Sequence, residues 1–208
     1  MRSNLAILGN EIIQFRDAEF IDDGRYKLTG LLRGRLGTEN ETAGHVEGER
    51  FVLLDSLIFK ATMPKALINN SIDIKVVSFG QNINDVTAIS ITYMAKNLIP
   101  YAVGDLDAVK DDSGDITISW LRRSRESSTW RDYVDMPLSE SVEAYKIEII
   151  DDENQIVRTI SAGTTSVIYT ISEQATDFGG SQDSIKARVY QISVLVGKGL
   201  ETEKTFIF

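Results

Sequence analysis

Apolar and polar residues alternate with a period of two along most of this chain, and the 3.6-residue period of an amphipathic helix is seldom seen. The alternating runs are short. Gly, Asn and Asp separate them, and only three prolines are present. Because a strand places successive side chains on opposite faces, this pattern predicts a nearly all-β protein.

The first half of the chain is predicted to form hairpins and further strands. Gly9-Asn10 suits a tight turn with positive φ, and Asp22-Asp23-Gly24 predicts a second turn. The predicted strands are Leu5 to Leu8, Glu11 to Phe15, Ala18 to Ile21, Tyr26 to Gly30, Phe51 to Met63, Ile72 to Phe79 and Ala88 to Met94, with a short turn or helical piece at Ala66 to Asn70.

Pro100 marks a predicted joint at Asn97 to Tyr101, because proline cannot donate to a central ladder and disfavours helix at Ile99. We therefore expect a β domain over residues 1–97 and a second domain over residues 101–208. In the second domain seven short strands follow one another, as in a two-sheet sandwich. They are Leu106 to Val109, Ile116 to Trp120, Glu143 to Ile150, Ile156 to Ser161, Ser166 to Ile171, Ser184 to Ser193 and Thr202 to Phe208.

Composition excludes several classes of function. The 208 residues contain no Cys and one His, so disulfides, thiolate metal sites and multi-histidine sites are excluded. The net charge of −9 argues against a general nucleic-acid-binding surface. No apolar run approaches the ~18 residues of a membrane span, and the N-terminus does not resemble a signal peptide. Nucleotide-binding and hydrolase sequence motifs are absent. We expect no cofactor, metal site, catalytic residue or membrane insertion.

The most informative segment is Leu31 to Glu39, with His45 and Gly48-Glu49-Arg50 just downstream. It resembles tail-tip (baseplate hub) proteins of bacteriophages and of phage-derived gene transfer agents. In these proteins a turn of the form R-G-x-x-G-T-E is followed by a single His and a Gly-Glu-Arg-Phe strand start. The resemblance extends upstream over Leu5 to Arg16 and downstream over Phe51 to Asp55.

A second resemblance lies in the second domain. Ile116 to Trp120 is similar to the second strand of a fibronectin type III domain, whose Trp fills the core, and Tyr145 to Ile149 is similar to its third strand. Ala187 to Ser193 and the turn Gly197-Lys198-Gly199 are similar to the penultimate strand and the turn after it. Tail-tip proteins often carry such modules near their C-termini. They are several times longer than this chain, which we expect to correspond to a C-terminal portion.

The resemblances imply a non-enzymatic structural and adhesive component of the distal tail tip, made in the bacterial cytoplasm. The implied partners are other tail and baseplate proteins and bacterial cell-surface polysaccharide. An alternative is a carbohydrate-binding accessory module of a surface-acting hydrolase. A third possibility is a free-standing bacterial adhesin domain.

The segment that carries the first resemblance is interpreted as a structural loop. His45 could act as a general base or metal ligand beside Glu47 and Glu49, but without a second His or Cys it is expected to hydrogen-bond the Arg-Gly turn. Nearby arginines could clamp an anion, or they could pair with an equal number of glutamates and brace the turn, which we favour. The expected structural residues are Arg33, Gly34, Gly37 and His45; the arginines are Arg33, Arg35 and Arg50, and the glutamates Glu39, Glu41 and Glu49.

Acidic clusters are interpreted as solvated turns, because each lies beside Gly or Asn and none completes a calcium-loop register. The clusters are Asp22-Asp23, then Asp111-Asp112 with Asp115, and Asp151-Asp152-Glu153.

A basic loop after the Trp120 strand is the candidate binding surface. It is long for a sandwich connection, and exposed Trp and Arg side chains there could stack on a sugar or hold an anionic polysaccharide. Alternatively, Trp130 covers the sandwich edge and the arginines pair with Glu126, Asp132 and Asp135. The candidate residues are Arg122, Arg123, Arg125, Trp130 and Arg131.

Overall fold

Strands make up most of the regular structure in the computed structural model, which describes residues 4–59, 61–126 and 136–208. The chain divides into two units, Met1–Met94 (unit 1) and Ala95–Phe208 (unit 2). The predicted joint, Asn97 to Tyr101, begins just after this division. No helix in the described ranges has the length and apolar character needed to span a bilayer.

Unit 1 contains a three-stranded antiparallel sheet in the order β2-β1-β5 and two separate hairpins, β3-β4 and β6-β7, among its described residues. Its strands are β1 (Leu5–Leu8), β2 (Glu11–Gln14), β3 (Asp17–Asp22), β4 (Arg25–Thr29), β5 (Phe51–Leu53), β6 (Ser71–Ile74) and β7 (Ile89–Thr92).

Both predicted hairpin turns are confirmed. Leu8 pairs with Glu11, which leaves Gly9 and Asn10 as the two-residue turn, and Gly9 has φ 59. A Cβ on Gly9 would lie 2.5 Å from Glu49 Oε2, so the position requires glycine for space as well as for conformation.

The other predicted strands of unit 1 are too long. The strand predicted over Phe51 to Met63 ends at Leu53, because Asp55 accepts a hydrogen bond from the amide of Leu57 at 2.8 Å and turns the chain. The strands predicted over Ile72 to Phe79 and Ala88 to Met94 are shorter in the structure, where β6 (Ser71–Ile74) pairs with β7 (Ile89–Thr92). The helical piece is confirmed as a 3₁₀ turn, Lys65–Leu67.

Unit 2 is a sandwich of two antiparallel sheets, one in the order β12-β9-β8 and one in the order β11-β10-β13-β14. The first, second and fifth strands of the unit thus face the third, fourth, sixth and seventh, as in a fibronectin type III domain. The fold is all-β with a fibronectin type III-like sandwich, as predicted. The elements are β8 (Gly104–Lys110), β9 (Ile116–Leu121), β10 (Tyr145–Ile150), β11 (Ile156–Ala162), β12 (Ser166–Tyr169), α1 (Ile171–Phe178), β13 (Ser184–Ser193) and β14 (Gly197–Ile207).

The core of unit 2 is built from alternate residues of facing strands. In β9 the buried positions are Ile116, Ile118 and Trp120, each separated by an exposed residue. Trp120 is 3% exposed and packs edge-to-face on Tyr145, with ring centroids 5.1 Å apart. The predicted place of Trp120 in the core is confirmed.

Two predictions in unit 2 were wrong. The strand predicted over Ser166 to Ile171 stops at Tyr169, and helix α1 follows it. Thr170 and Glu173 form a capping box at the start of this helix. The last strand begins at Gly197, so Gly197-Lys198-Gly199 lies within β14 and the turn occupies residues 194–196.

Candidate functional site

A fully buried carboxylate, Glu11 on β2, lies at the centre of the segment that carries the tail-tip resemblance. Arg33 donates from Nε to Glu11 Oε1 at 2.8 Å and from Nη2 to Glu11 Oε2 at 2.6 Å. The backbone amide of Gly34 also donates to Glu11 Oε1, at 2.6 Å. These contacts give the buried charge an ion pair and a backbone donor, as a carboxylate excluded from water requires.

His45 lies between two carboxylates. Its Nε2 is 2.8 Å from Glu11 Oε2, and its Nδ1 is 2.5 Å from Glu49 Oε1. The imidazole is 23% exposed, so the cluster lies at the edge of the buried region. We call residues 33–50 the 33–50 loop and name Glu11, Arg33, His45 and Glu49 the Glu11 cluster.

The 33–50 loop is also held through backbone contacts to the free edge of β2. On β2, Ile12 donates its amide to Thr38 Oγ1 at 3.0 Å. Within the loop, Arg33 Nη2 donates to the carbonyl of Thr42 at 2.8 Å. Just before the loop, Gln14 and Leu32 exchange backbone hydrogen bonds of 2.9 and 2.7 Å. The loop therefore covers an edge that would otherwise present unpaired backbone groups.

The glycines of the loop are required by its geometry. Gly34 has φ 59, and a Cβ there would lie 2.9 Å from Glu39 Cα. Gly37 has φ 84. Leu36, between them, has φ 54 although it carries a bulky side chain, and it is 62% exposed. The tight turn thus exposes the Leu36 side chain, and the positive φ of Leu36 costs conformational free energy.

Electrostatics stabilise the charged forms of Glu11, Arg33 and His45. The hydrogen bond to Glu49 raises the pKa of His45; desolvation opposes this, and the bond to Glu11 adds to it. Burial alone would raise the pKa of Glu11, but the hydrogen bonds from Arg33, Gly34 and His45 outweigh it and lower that pKa. Glu11 in turn raises the pKa of Arg33.

Glu11, which Arg33, Gly34 and His45 contact, is not among the site residues predicted from the sequence. The sequence predicted pairing of Arg33 with downstream glutamates, whereas the structure pairs Arg33 with Glu11, 22 positions earlier. A signal was present, because β2 alternates and Glu11 lies on the same face as the buried Ile13. A charged residue at a core-facing strand position indicates a buried partner. Arg50 Nη2 donates to the carbonyl of Gly9 at 3.2 Å.

Three arginines of the candidate binding loop, Arg122, Arg123 and Arg125, have intramolecular partners among the described residues. Arg122 donates to Glu143 Oε2 at 3.1 Å, and the Arg123 guanidinium lies 5.2 Å from the ring centre of Tyr101. The Arg125 side chain is 13% exposed. Its partners are Glu140 (2.6 Å) and the carbonyls of Leu98 and Ser139. Glu126, suggested as a partner from the sequence, does not appear in these contacts; Trp130, Arg131, Asp132 and Asp135 lie outside the described residues. A surface-binding role for this loop stays a prediction.

Two of the acidic clusters form tight turns, and in each turn one aspartate carboxylate accepts hydrogen bonds from backbone amides. Asp111 Oδ1 accepts from the amides of Ser113 (2.9 Å) and Asp115 (3.0 Å). Asp151 Oδ1 accepts from Glu153 (2.9 Å) and Gln155 (2.8 Å) in the same way. Nowhere in the described ranges do three or more His, Asp or Glu side chains converge as a metal site would require.

Unit 1 exposes apolar surface on the two hairpins that lie outside its three-stranded sheet, β3-β4 and β6-β7. In β6-β7 the register places four isoleucines on one face, and Ile74, Ile89 and Ile91 are 40%, 61% and 44% exposed. The β3-β4 hairpin borders an apolar groove of about 450 Å³. Its lining residues include Phe15, Tyr26, Leu28, Phe51 and Leu53. Two-stranded hairpins are marginally stable by themselves, and contiguous apolar surface marks an interaction site.

Among known protein families, residues 1–52 match the family described as Rcc01698-like, C-terminal. No curated protein sequence matches the chain.

Among solved structures, domains d3–d4 of the rat CD45 extracellular region superpose with a TM-score of 0.39 and 9% identity, covering 97% of each chain. The FN5 domain of Drosophila Lar superposes with a TM-score of 0.33 and 14% identity, covering 52% of this chain and 96% of that one. The fibronectin type III assignment rests on the strand order described above.

Proposed function

We propose that this chain is a non-enzymatic structural and adhesive component of the distal tail tip (baseplate) of a phage or gene transfer agent particle, where it contributes to attachment to the host cell. The observation that carries this proposal is the family match over residues 1–52, because it covers most of the segment that resembles the tail-tip proteins of phages and gene transfer agents. That segment contains the whole Glu11 cluster, so the matched residues are also those that form the loop.

The mechanism is rigid presentation of loops by β-structure. Glu11 holds both ends of the 33–50 loop through Arg33 and His45, so the loop keeps one shape without an extended element of its own. The loop presents Leu36 and Val46, 62% and 68% exposed, as apolar contact points. A loop fixed in advance loses less conformational entropy when it binds.

Other tail and baseplate proteins are the partners that unit 1 suits. Its exposed isoleucine face and its apolar groove would be covered in an assembled particle, and burial of such surface drives protein association. Unit 2 carries the basic loop, which we assign to contact with bacterial cell-surface polysaccharide. The protein is made in the bacterial cytoplasm and becomes part of the particle.

Immunogold electron microscopy of particles from the source bacterium tests the location. We expect an antibody against this chain to label the distal end of the tail, and particles from a deletion strain to lose that label and adsorb less to host cells. Label on the cell envelope, with none on particles, would contradict the proposal and favour a free-standing adhesin.

Retention on host-cell envelopes tests the adhesive part. Trp130→Ala with Arg131→Ala should weaken retention of the purified chain, whereas Lys27→Ala on the exposed β4 strand serves as a charge-loss control in unit 1. Equal retention of the double variant and the wild type would show that the basic loop does not take part in adhesion.

A further inference from the structure

Both ring nitrogens of His45 face carboxylate oxygens. Nε2 is 2.8 Å from Glu11 Oε2, and Nδ1 is 2.5 Å from Glu49 Oε1. A neutral imidazole carries one N–H and one lone pair, so it can donate to only one of these carboxylates. Its lone pair would then point at the other oxygen, which is repulsive. The observed arrangement fits the doubly protonated imidazolium, in which each ring N–H donates to one carboxylate.

The charges around His45 balance only in that state. Glu11 faces the imidazole from β2, Glu49 faces it from the end of the 33–50 loop, and Arg33 from the start of the loop shares Glu11. Of these, Glu11 and Glu49 lie against the imidazole itself, and Arg33 contacts Glu11. Two carboxylates are matched by one guanidinium and one imidazolium. Loss of one proton leaves an unbalanced negative charge beside a fully buried carboxylate.

We infer that His45 is a protonation-dependent latch for the 33–50 loop, which is closed while the imidazole carries two protons and loosens when it loses one. The latch ties the C-terminal end of the loop, through His45 and Glu49, to the Glu11 carboxylate that also holds its start. Deprotonation breaks one of the two ring contacts, and where the contact to Glu11 is the one lost, Arg33 and Gly34 are its remaining donors. This inference does not depend on the tail-tip role.

The direction of the pH dependence follows from the raised pKa of His45. A raised folded-state pKa gives a stabilisation that is complete below the ordinary value of 6.5 and is lost as the pH rises through the folded-state value. The latch therefore opens on the alkaline side. Glu11 has a lowered pKa, so its contribution is present above 4.5 and is lost as the pH falls through its folded-state value.

Long-range ¹H–¹⁵N NMR of the full chain reads this state directly, because His45 is the only histidine. We expect both ring nitrogens to be protonated at neutral pH and the ring to become neutral with a midpoint above 6.5. Over the same pH range, the protection factor of the Gly34 amide should fall by about tenfold or more. The protection factor corrects for the intrinsic rise of amide exchange with pH.

Glu49→Gln supplies the decisive comparison, since it removes a charge from the latch and keeps a hydrogen-bonding side chain. Its His45 midpoint should shift toward 6.5. Glu47→Gln makes the same charge change two residues from His45, at an exposed position, and should leave the midpoint close to that of the wild type. In His45→Gln, protection of Gly34 should no longer change over this pH range.

Three results would overturn the latch. The first is a neutral, single-tautomer His45 at neutral pH with a midpoint at or below 6.5. The second is the same midpoint shift in Glu49→Gln and Glu47→Gln. The third is Gly34 protection that stays constant while His45 titrates. If His45→Gln does not fold, the comparison of the two glutamate variants still decides the outcome.

Discussion

Arg33 and Glu11 form a side-on ion pair across 22 positions of sequence, with Arg33 Nε 2.8 Å from one carboxylate oxygen and Nη2 2.6 Å from the other. The carboxylate is fully buried, whereas the guanidinium is 40% exposed. Glu11 therefore depends on Arg33 more than Arg33 depends on Glu11, because an exposed guanidinium can be hydrated and a buried carboxylate cannot.

Glu11→Gln should lower the free energy of unfolding of unit 1 by about 2–3 kcal/mol, because it removes the charge that Arg33, Gly34 and His45 contact. Both tryptophans lie in unit 2, so tryptophan fluorescence cannot be the probe. Hydrogen exchange of peptides from residues 4–59 measures the loss. Glu19→Gln on the exposed strand β3 is the matched control and should change exchange little. Equal effects of the two variants would contradict the central role of Glu11.

Trp120→Ala should lower the free energy of unfolding of unit 2 by about 3–5 kcal/mol, because it leaves a cavity beside Tyr145 in the sandwich core. Leu121→Ala is the neighbouring control, since Leu121 is 60% exposed on the opposite face of β9. Trp130→Ala should also cost far less. Urea unfolding followed by circular dichroism measures all three, and a larger loss in either control would mean that the strand register is wrong.

Limited trypsin digestion should cut after Lys96 and release two folded pieces. Lys96 and Asn97 are exposed, whereas Pro100 is buried and its carbonyl accepts from the amide of Leu200 at 2.9 Å. Cleavage is therefore expected before the segment that packs on β14. Mass spectrometry identifies the site, and Lys96→Gln should suppress it. If the chain resists cleavage there and unfolds as one cooperative unit, the two-domain interpretation is wrong.

Asp177→Asn should reduce the loss of stability that unit 2 shows as the pH falls into the acidic range. Burial would raise the pKa of Asp177, but hydrogen bonds from Arg158 and Tyr169 outweigh it and hold the pKa below the ordinary 3.8. A lowered pKa gives a stabilisation that is present above 3.8 and is lost as the pH falls through the folded-state value. Thermal unfolding across this range should show the loss in the wild type.

The control for this prediction is Asp183→Asn, because the Asp183 side chain is 96% exposed. It should keep the acid dependence of the wild type. If Asp177→Asn kept the same dependence too, the Arg158 pair would not be its source.

The purified chain should hydrolyse neither peptidoglycan nor envelope polysaccharide. Hydrolysis needs an activated nucleophile or water, a proton donor and charge stabilisation in one pocket, and both nitrogens of His45 are already engaged by carboxylates. His45→Ala should alter the stability of the 33–50 loop and give the same negative result in the hydrolysis assay as the wild type. Release of soluble sugars that disappears in His45→Ala would establish the chain as an enzyme.

Local signals in the sequence were sufficient for much of the fold. Gly9-Asn10 and Asp23-Gly24 specify their hairpins because positive φ is a property of one or two residues. Alternation along Ile116 to Trp120 was enough to place Trp120 in the core, since a strand turns every second side chain to the same face. Helix α1 also had a local signal, the Thr170 and Glu173 capping box, which the strand-like residues before it obscured.

Only the tertiary structure decided which side chains form ion pairs and where strands end. From the sequence, Arg33 had several nearby glutamates as partners, and the one it contacts lies on another strand because β2 turns Glu11 inward beneath the loop. The length of β5 was likewise undetermined, because apolar residues after Leu53 fit a strand equally well. In the described residues the pairing with β1 ends with the hydrogen bond from the Leu54 amide to the Leu5 carbonyl. Conformation at a turn is set within a few residues, whereas ion pairs and strand ends depend on what the rest of the chain brings alongside.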